Sequence, residues 1–511
     1  MSPIGKHIAA IDAGSNGIRM VVARTIAHGR VEIVETVRHA VRLGSDAFQY
    51  GEIRQPTSDK LLAAFQSFRT IFDKYNVTHY RAVATAAMRE ASNHDWICDR
   101  IAQTTDIMLQ VIDPEEEARL VHFAISDRIN LSKRVALLVD IGGGSIQLIL
   151  SEKGKILAVE SFRLGSVRLL QILEQEKYSE HDFYELVKEY SAVAQKWLKR
   201  EISKKQIDVF VGTGGNIEAF ADLKGTLLHR NSDEPLTTAE LSDIAKQLQK
   251  LTLAERVTQL KLRPDRADVI VPAALVLQII WKQVGTPSII IPQTGLRNGI
   301  LLDLAQSNKR QHLVDRHEQS VMQAYQTGRK YDFDERHAKT VAAFALQLFD
   351  ATQTLHKLPA EYRALLELSA ILHDIGQYVH ASSHHKHSQY IVLATPLVGI
   401  AEHEREIIGN IVRYHRKSFP STTHENFRSL PLNERIAVTQ LAALLRIADA
   451  LDREHESKVK ELQFEVKRQN LIILISGSGD LLLEKWAVVK KAEMFEQCFS
   501  TKVTVRKKEE R

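Results

Sequence analysis

Two cysteines in 511 residues, Cys98 and Cys498, leave no material for a disulfide framework and fit a reducing compartment. The longest apolar stretch, Val269 to Trp281, is interrupted by Pro272 and Gln278. It falls short of the roughly 20 residues a membrane-spanning helix requires. The N-terminus, Met1 to Lys6, runs almost directly into a strand with no apolar signal core. A cytoplasmic protein without a membrane partner is expected. No low-complexity segment occurs, and the charged tail Arg506 to Arg511 reads as solvated fraying. No Walker-type lysine loop is present, so phosphate binding through one is unsupported. One-sided charge is lacking too: 68 Lys and Arg against 63 Asp and Glu leave a formal +5, a mild preference for polyanions, and no nucleic-acid partner is expected. The balance of 44% hydrophobic and 26% charged residues is that of a globular chain, too long for one core.

What is present centres on Ala136 to Leu150, where Leu137-Leu138-Val139 runs into Asp140-Ile141-Gly142-Gly143-Gly144-Ser145 and a second apolar run, Ile146 to Leu150, leaves at once. This predicts two strands joined by a tight turn whose successive N–H groups form a concave nest for phosphate oxygens, with Asp140 able to hold a divalent cation beside it. Because the second run reads as a strand, a dinucleotide fold, whose glycine fingerprint opens a helix, is disfavoured. The pattern recurs without gaps at Ile8 to Val22, matching Asp12 to Asp140, Gly14 to Gly142 and Ile18 to Ile146. Two copies imply a duplicated α/β unit whose turns face each other across a cleft.

Strands are expected at 8–11, 18–23, 31–37, 81–85 and 108–112 in the first half, and at 137–140, 146–150, 209–212 and 288–292 in the second. Helices are expected at 59–72, 184–202, 238–250 and 266–284. After about Gln306 helical periodicity dominates, at 336–355, 360–372, 402–414 and 432–451. From Val459 the chain turns β-rich, with strands 461–466 and 471–476 around a turn at Arg468-Gln469-Asn470 and a helix near Met494. The predicted domains are 1–124, 125–305, 306–457 and 458–511.

Asp12-Ala13-Gly14-Ser15-Asn16, Ala84 to Ala91, Glu116 to Leu120, Asp140 to Ser145, Gly212-Thr213-Gly214-Gly215 and Gly295-Leu296-Arg297 follow one another as in the exopolyphosphatase / guanosine pentaphosphate phosphohydrolase family, which the chain resembles over nearly its whole length. The resemblance implies two ribonuclease-H-like domains of the actin-like superfamily, followed by an all-α HD-type domain and a small C-terminal α/β domain. It implies a phosphate pocket from Ser15, Asn16, Gly17, Thr85, Gly142, Gly143, Gly144, Ser145, Gly212 and Gly214, with Arg89 clamping phosphate oxygens. Asp113 and Pro114 suit the cap and first position of a helix, whose opening acids Glu115 and Glu116 complement its dipole. Glu117, directly before Ala118-Arg119-Leu120, takes the place of the family's catalytic glutamate. Asp140 would hold Mg²⁺, with Asp12 and Glu117 assisting. Departures from the family pattern are Gln147 where Glu is usual, Gly17 for Ser, Asn216 for Thr, and Asn298 for an acidic residue.

A second constellation lies in the helical region. His373-Asp374 ends an amphipathic helix, His337 lies on an earlier helix, and Asp449 sits on the apolar face of a later one, where a charge needs a partner. Together they resemble the ligand series of HD metal-dependent phosphohydrolases, and His387 and His415 would complete a second metal position by analogy with two-metal members. Mixed nitrogen and oxygen donors suit Mn²⁺, Fe²⁺, Co²⁺ or Zn²⁺. His384 and His385 read as loop or phosphate contacts.

The expected activity is release of terminal phosphate from inorganic polyphosphate, with guanosine pentaphosphate as the other candidate substrate and a homodimer suggested by the resemblance. Two rivals are a sensing module joined to an HD-type nucleotide hydrolase, and an ATP-dependent kinase of the actin-like superfamily.

Overall fold

The computed structural model describes residues 5–176, 180–203, 205–306, 310–467 and 469–508. The chain divides into two compact units, Met1–Leu313 and Val314–Arg511.

The first unit carries the expected duplication. Strands β1 (His7–Gly14), β2 (Gly17–Thr25), β3 (Val31–His39), β4 (His79–Ala84) and β5 (Leu109–Val111) form one sheet in the order β3-β2-β1-β4-β5. Strands β6 (Val135–Ile141), β7 (Ile146–Glu152), β8 (Lys155–Phe162) and β9 (Val209–Thr213) form another, ordered β8-β7-β6-β9. In each, the first strand pairs antiparallel with the second and parallel with a later one. Asp12 pairs across its hairpin with Arg19, and Asp140 with Gln147. The runs Ala136–Val139 and Ile146–Leu150, apolar apart from Gln147, are buried, as central strands covered on both faces should be.

Four points of the expected layout need correction in this unit. Strand β8 was not foreseen, and the helix expected over 184–202 is two, Glu180–Tyr190 and Ala192–Ile202, parted at Ser191, whose Oγ donates to Val187 O at 2.6 Å. The helix Leu296–Gln306, assigned by sequence position to the second half, packs on the first sheet, where Ile300, Leu301 and Ala305 meet Ile8, Ala10, Val21 and Leu120. Gly299 permits this, since a Cβ there would collide with the Leu120 carbonyl. Finally, Pro264–Val284 is the one stretch among the described residues long and apolar enough to cross a membrane. It forms the helices Pro264–Ala267 and Ile270–Val284 and is 67% buried over its most apolar window, where Ala273, Ala274, Ile280 and Trp281 join the core.

The second unit packs the helices Glu335–Ala351, Glu361–Leu372, His384–Ala394, Glu402–Tyr414 and Leu432–Ala450 together. Strands β10 (Val459–Lys467), β11 (Asn470–Gly477) and β12 (Lys502–Lys507) form a sheet in that order, accompanied by helices Leu482–Lys491 and Glu493–Phe499. Helices and sheet share one core: Leu471, Ile473, Val488 and Phe495 belong to the same cluster as Leu441 and Leu445. The predicted division at 457/458 therefore cuts through a single hydrophobic core. Arg506 and Lys507, expected to fray, lie in β12, and Arg468 of the expected turn lies outside the described residues.

Candidate functional site

The two Asp-containing turns meet. A Cβ on Gly143 would lie 3.1 Å from Ser15 Cβ and 3.3 Å from Asn16 Cβ, and one on Gly144 would lie 2.9 Å from Ser15 Oγ. Absence of side chains at 143 and 144 is what lets one hairpin approach the other. Between them is a cleft of about 150 Å³ lined by residues that include Asp12, Thr85, Glu117, Asp140 and the backbones of Gly142 to Ser145. Gly214 (φ 93) completes the wall: its backbone lies so close that a Cβ would stand 2.5 Å from Asp140 Oδ1.

Glu117 reaches the cleft because its helix begins where the sequence said it should. The Asp113 side chain accepts from Glu116 N at 2.8 Å, with Pro114 in the first turn. Glu116 is turned away into ion pairs with Arg81 and Arg119, each at 2.7 Å, leaving Glu117 as the acid of that turn that lines the cleft. Burial raises the Glu117 carboxyl above its ordinary range; Arg89 opposes this and nearby Asp12 adds to it. Asp12 is raised by burial against the pull of Arg19 and Arg297. Asp140 is pushed up to about 8 by burial and by the charges of Glu117, Glu218 and Asp12. Such crowding of oxygen donors is the chemistry of a hard divalent-cation site.

Arg89 does not line the cleft. Its Nη1 donates to Glu117 Oε2 at 3.1 Å and to Ile112 O at 2.7 Å, so it holds the glutamate instead of clamping phosphate. Three other arginines line the cleft, Arg19, Arg266 and Arg297. Arg266 is 7% exposed, and its Nε and Nη1 lack hydrogen-bond partners among the described residues. Burial and the neighbouring Arg19 and Arg263 charges lower it to about 10. Unpaired buried guanidinium donors are costly unless an anion meets them. Arg19 could have been found from its register opposite Asp12, and Arg297 lies in the quoted Gly295-Leu296-Arg297 motif. Arg266 carries no comparable sequence signal.

Two expected phosphate contacts have other partners. Gly212 is not in the cleft; it lies in β9, where a Cβ would crowd Ile217 and Ile289. Asn16 lines the cleft, but its amide is spent on a clasp, donating to Asp265 O at 2.7 Å and accepting from Arg42 Nε at 2.8 Å, beside an Arg38–Asp265 ion pair. Of the substituted positions, Gln147 is buried, donates to Pro114 O at 3.3 Å and bonds Glu117, while Asn216 donates to Ser166 Oγ at 2.9 Å.

In the second unit, one group of potential ligand atoms comprises His337, His373 and Asp449, and another Asp374, His384 and His415; within each group the atoms lie inside 4.8 Å of one another. His387 belongs to neither, and His384, read from sequence as a loop or phosphate contact, stands where His387 was expected. The hydrogen bonds of the histidines are informative. His337 Nδ1 meets Asp452 Oδ2 at 2.8 Å, His373 Nδ1 meets Ala370 O at 2.7 Å, His415 Nδ1 meets Val412 O at 2.7 Å and His384 Nδ1 meets Ala381 O at 3.1 Å. At His373 and His415 an acceptor on Nδ1 places the proton there and leaves Nε2 as a lone pair; His384 Nδ1 also meets Arg416 Nη1 at 3.1 Å, and against burial Asp449 and Asp452 raise His337 to about 9, so that a metal ion would have to displace its Nε2 proton. His337 Nε2 and His373 Nε2 are buried without hydrogen-bond partners among the described residues, and Asp374 Oδ1 faces His384 Nε2 at 3.0 Å and His415 Nε2 at 3.6 Å. A purely structural polar network would pair these atoms; a metal-ligand set presents them to a common point. Lys491 pairs with Asp449 Oδ2, while Asp449 Oδ1 faces His337 Nε2 at 3.5 Å.

Residues 21–308 match the Ppx/GppA phosphatase family, and residues 319–489 match the domain described as Ppx/GppA phosphatase, domain III. The chain is similar to the guanosine-5'-triphosphate,3'-diphosphate pyrophosphatase of Vibrio vulnificus, 25% identical over 92% of each chain. It is similar also to the enzyme of that name from Photobacterium profundum, 23% identical over 87% of this chain and 86% of the relative. Among solved structures, an exopolyphosphatase from Cytophaga hutchinsonii aligns with 60% of this chain and 99% of its own length, at 26% identity and a TM-score of 0.55. That likeness extends to the duplicated actin-like architecture of the first unit. With its double hairpin, its buried acids and a family match over more than half its length, the chain belongs to the Ppx/GppA phosphatase family, hydrolases of phosphoric anhydrides.

Proposed function

We propose that the first unit removes the terminal phosphate of inorganic polyphosphate, and that guanosine pentaphosphate is the alternative substrate of the same cleft. The observation that carries this reading is the meeting of Glu117, Asp12 and Asp140 with three inward arginines and two glycine turns in one cleft. The terminal phosphoryl group binds between the turns, its oxygens met by the N–H groups of Gly143 to Ser145, that of Gly142 closing the hairpin on Ser145 O at 3.0 Å, and by Arg19, Arg266 and Arg297. Glu117, held by Arg89 and made more basic by burial, takes the proton of a water aligned with the phosphorus. Asp140 with Asp12 would hold Mg²⁺, which offsets phosphoryl charge when bound. Polyphosphate takes precedence because the cleft meets the anion chiefly with charge and backbone groups. The test is phosphate release from polyphosphate, guanosine pentaphosphate and ATP by the wild type and Glu117→Ala; equal rates for the two proteins would remove Glu117 from the mechanism. ATP consumed only when an acceptor is present would favour a kinase instead.

A second reading makes the helical unit an HD-type metal phosphohydrolase of nucleotides with the first unit as its phosphate sensor. The four histidines with Nδ1 satisfied support it. His337, His373, Asp374 and Asp449 would hold one Mn²⁺, Fe²⁺, Co²⁺ or Zn²⁺, and Asp374, His384 and His415 would hold a neighbouring one. Nucleotide hydrolysis lost in His373→Ala and kept in Glu117→Ala supports this assignment; the reverse overturns it.

A further inference from the structure

A second, more open cavity of the first unit lies on the other side of the glycine turn. The helix Ala192–Ile202 turns one stripe toward it, Val193, Lys196, Trp197 and Arg200, spaced as one helical face. Opposite stand Phe162 and Arg163 at the end of β8, with Phe48 and Arg168 closing the floor. Two features are unusual for a solvated surface. Large apolar groups are left open, Val193 at 63% and Tyr190 at 49% exposure, beside the Trp197 and Phe162 rings packed edge to face at 6.3 Å. Cations also converge on the same space: Arg163 and Arg200 are mostly exposed, and Lys196 forms no ion pair among the described residues. Trp197 and Phe162 are themselves core, 6% and 8% exposed, and back the open wall that Tyr190 and Val193 present. An open apolar wall with a cationic rim suits a ligand that is planar and apolar at one end and anionic at the other. A bare polyphosphate has nothing to offer that wall.

The floor connects this cavity to the candidate catalytic acid. Arg168, stacked on Phe48 with its guanidinium carbon 4.0 Å from the ring centre, donates Nε to Gly144 O at 3.3 Å and Nη2 to both Glu90 oxygens at 2.7 and 2.8 Å. Glu90 and its neighbour Arg89 sit on one short helix, Ala86–Glu90, and Arg89 holds Glu117 at 3.1 Å. An anion drawn to Arg163 and Arg168 competes with Glu90 for the guanidinium and so loosens the helix that orients Glu117.

We propose that this cavity binds a nucleoside phosphate, base against the open faces of Tyr190 and Val193 and phosphates toward Arg163, Arg168, Lys196 and Arg200, and that occupancy is relayed to Glu117 through Arg168, Glu90 and Arg89. The binding claim stands independently of the hydrolytic reading; the functional meaning of the relay rests on the role given to Glu117. Calorimetry on the full chain with ADP tests the first. Lys196→Glu combined with Arg200→Glu, both exposed so that folding is retained, is expected to weaken ADP binding about tenfold or more, while Asp140→Asn in the cleft leaves it intact. Tripolyphosphate, which lacks a base and also enters the cleft, is scored by the part of its binding that the charge reversal removes, and that part is expected to be about tenfold weaker than for ADP. Absent ADP binding, ADP binding unaffected by the charge reversal, ADP binding abolished by Asp140→Asn, or a base-free triphosphate bound equally well, overturns the site. Hydrogen exchange tests the relay without requiring turnover: ADP is expected to speed exchange over 86–91 and 114–118, and Glu90→Gln to abolish that change while ADP still binds. No change in wild-type exchange at saturating ADP, or a change that survives Glu90→Gln, overturns the relay.

Discussion

The two clusters of buried acids in this molecule are built on opposite electrostatic plans. In the cleft of the first unit, Asp12, Glu117 and Asp140 are all raised, with burial as the leading cause; neighbouring carboxylates add to it at Glu117 and Asp140, while arginines oppose it at Asp12. In the helical unit, Asp374 and Asp449 are held below their ordinary range despite burial, the first by the His373 charge and by His384, whose Nε2 lies 3.0 Å from Oδ1, the second by Lys491 and by the neighbouring His337 and His373 rings. The acids of the cleft are left to a cation and a substrate that arrive from solution. Those of the helical unit already have nitrogen partners, four of them on histidines whose backs are fixed. A turn of glycines leaves room for a ligand that comes and goes, whereas a packed helix bundle holds its ligands at one point.

The comparison breaks most directly at its catalytic member. Glu117→Ala is expected to lower the turnover of polyphosphate by about 10²- to 10⁴-fold with little change in KM, because the general base acts after binding. His373→Ala is the matching substitution in the helical unit. It is expected to weaken retained Mn²⁺ or Zn²⁺ about 100-fold or more, read by metal analysis after dialysis, and to leave polyphosphate turnover within about twofold. A loss of polyphosphate turnover in His373→Ala would show that the two sites are one machine.

The plans also differ in pH response. Asp140, raised from 3.8 to about 8, binds a proton more tightly in the folded protein than in the unfolded chain. Its stabilising contribution is complete below about pH 4 and disappears as pH rises through about 8, on the order of 1–3 kcal/mol in metal-free protein. Asp374 and Asp449, lowered, contribute stability that is present above about pH 4 and lost on acidification. Thermal melts in chelator are therefore expected to lose stability between pH 5 and 8 in a step that Asp140→Asn removes and millimolar Mg²⁺ suppresses. An unchanged slope in Asp140→Asn would assign the step to other groups.

What the sequence disclosed and what it hid divide along the same line. The hairpins, the register that equates Asp12 with Asp140, the Asp113 cap and the placement of Glu117 are local: a few adjacent residues determine each, and each is in the structure. The cationic side of the cleft is assembled from segments far apart in sequence, Arg19, Arg266 and Arg297, and nothing near Arg266 marks it as different from other arginines. His384 displaced His387 for a comparable reason. Both lie on the helix His384–Ala394, and only its packing decides which ring faces Asp374. The helix Leu296–Gln306 crosses back to the first sheet because its apolar face and Gly299 fit Leu120, a match no linear reading contains.

Arg89 sharpens the contrast at its finest scale. Were it a phosphate clamp, its removal would raise KM; the structure puts it outside the cleft and on Glu117, which predicts a different signature. Arg89 lowers the Glu117 pKa against the dominant effect of burial, so Arg89→Ala should raise it further. The acidic limb of the turnover profile is then expected to move to higher pH, since the base must lose its proton before it can take one from water. At pH 7 turnover is expected to fall about tenfold, and Arg89→Lys to fall less, because an ammonium supplies the charge without spanning both Glu117 and the Ile112 carbonyl. A rise in KM with an unmoved pH limb would return Arg89 to the phosphate and leave Glu117 to be oriented by Gln147 alone.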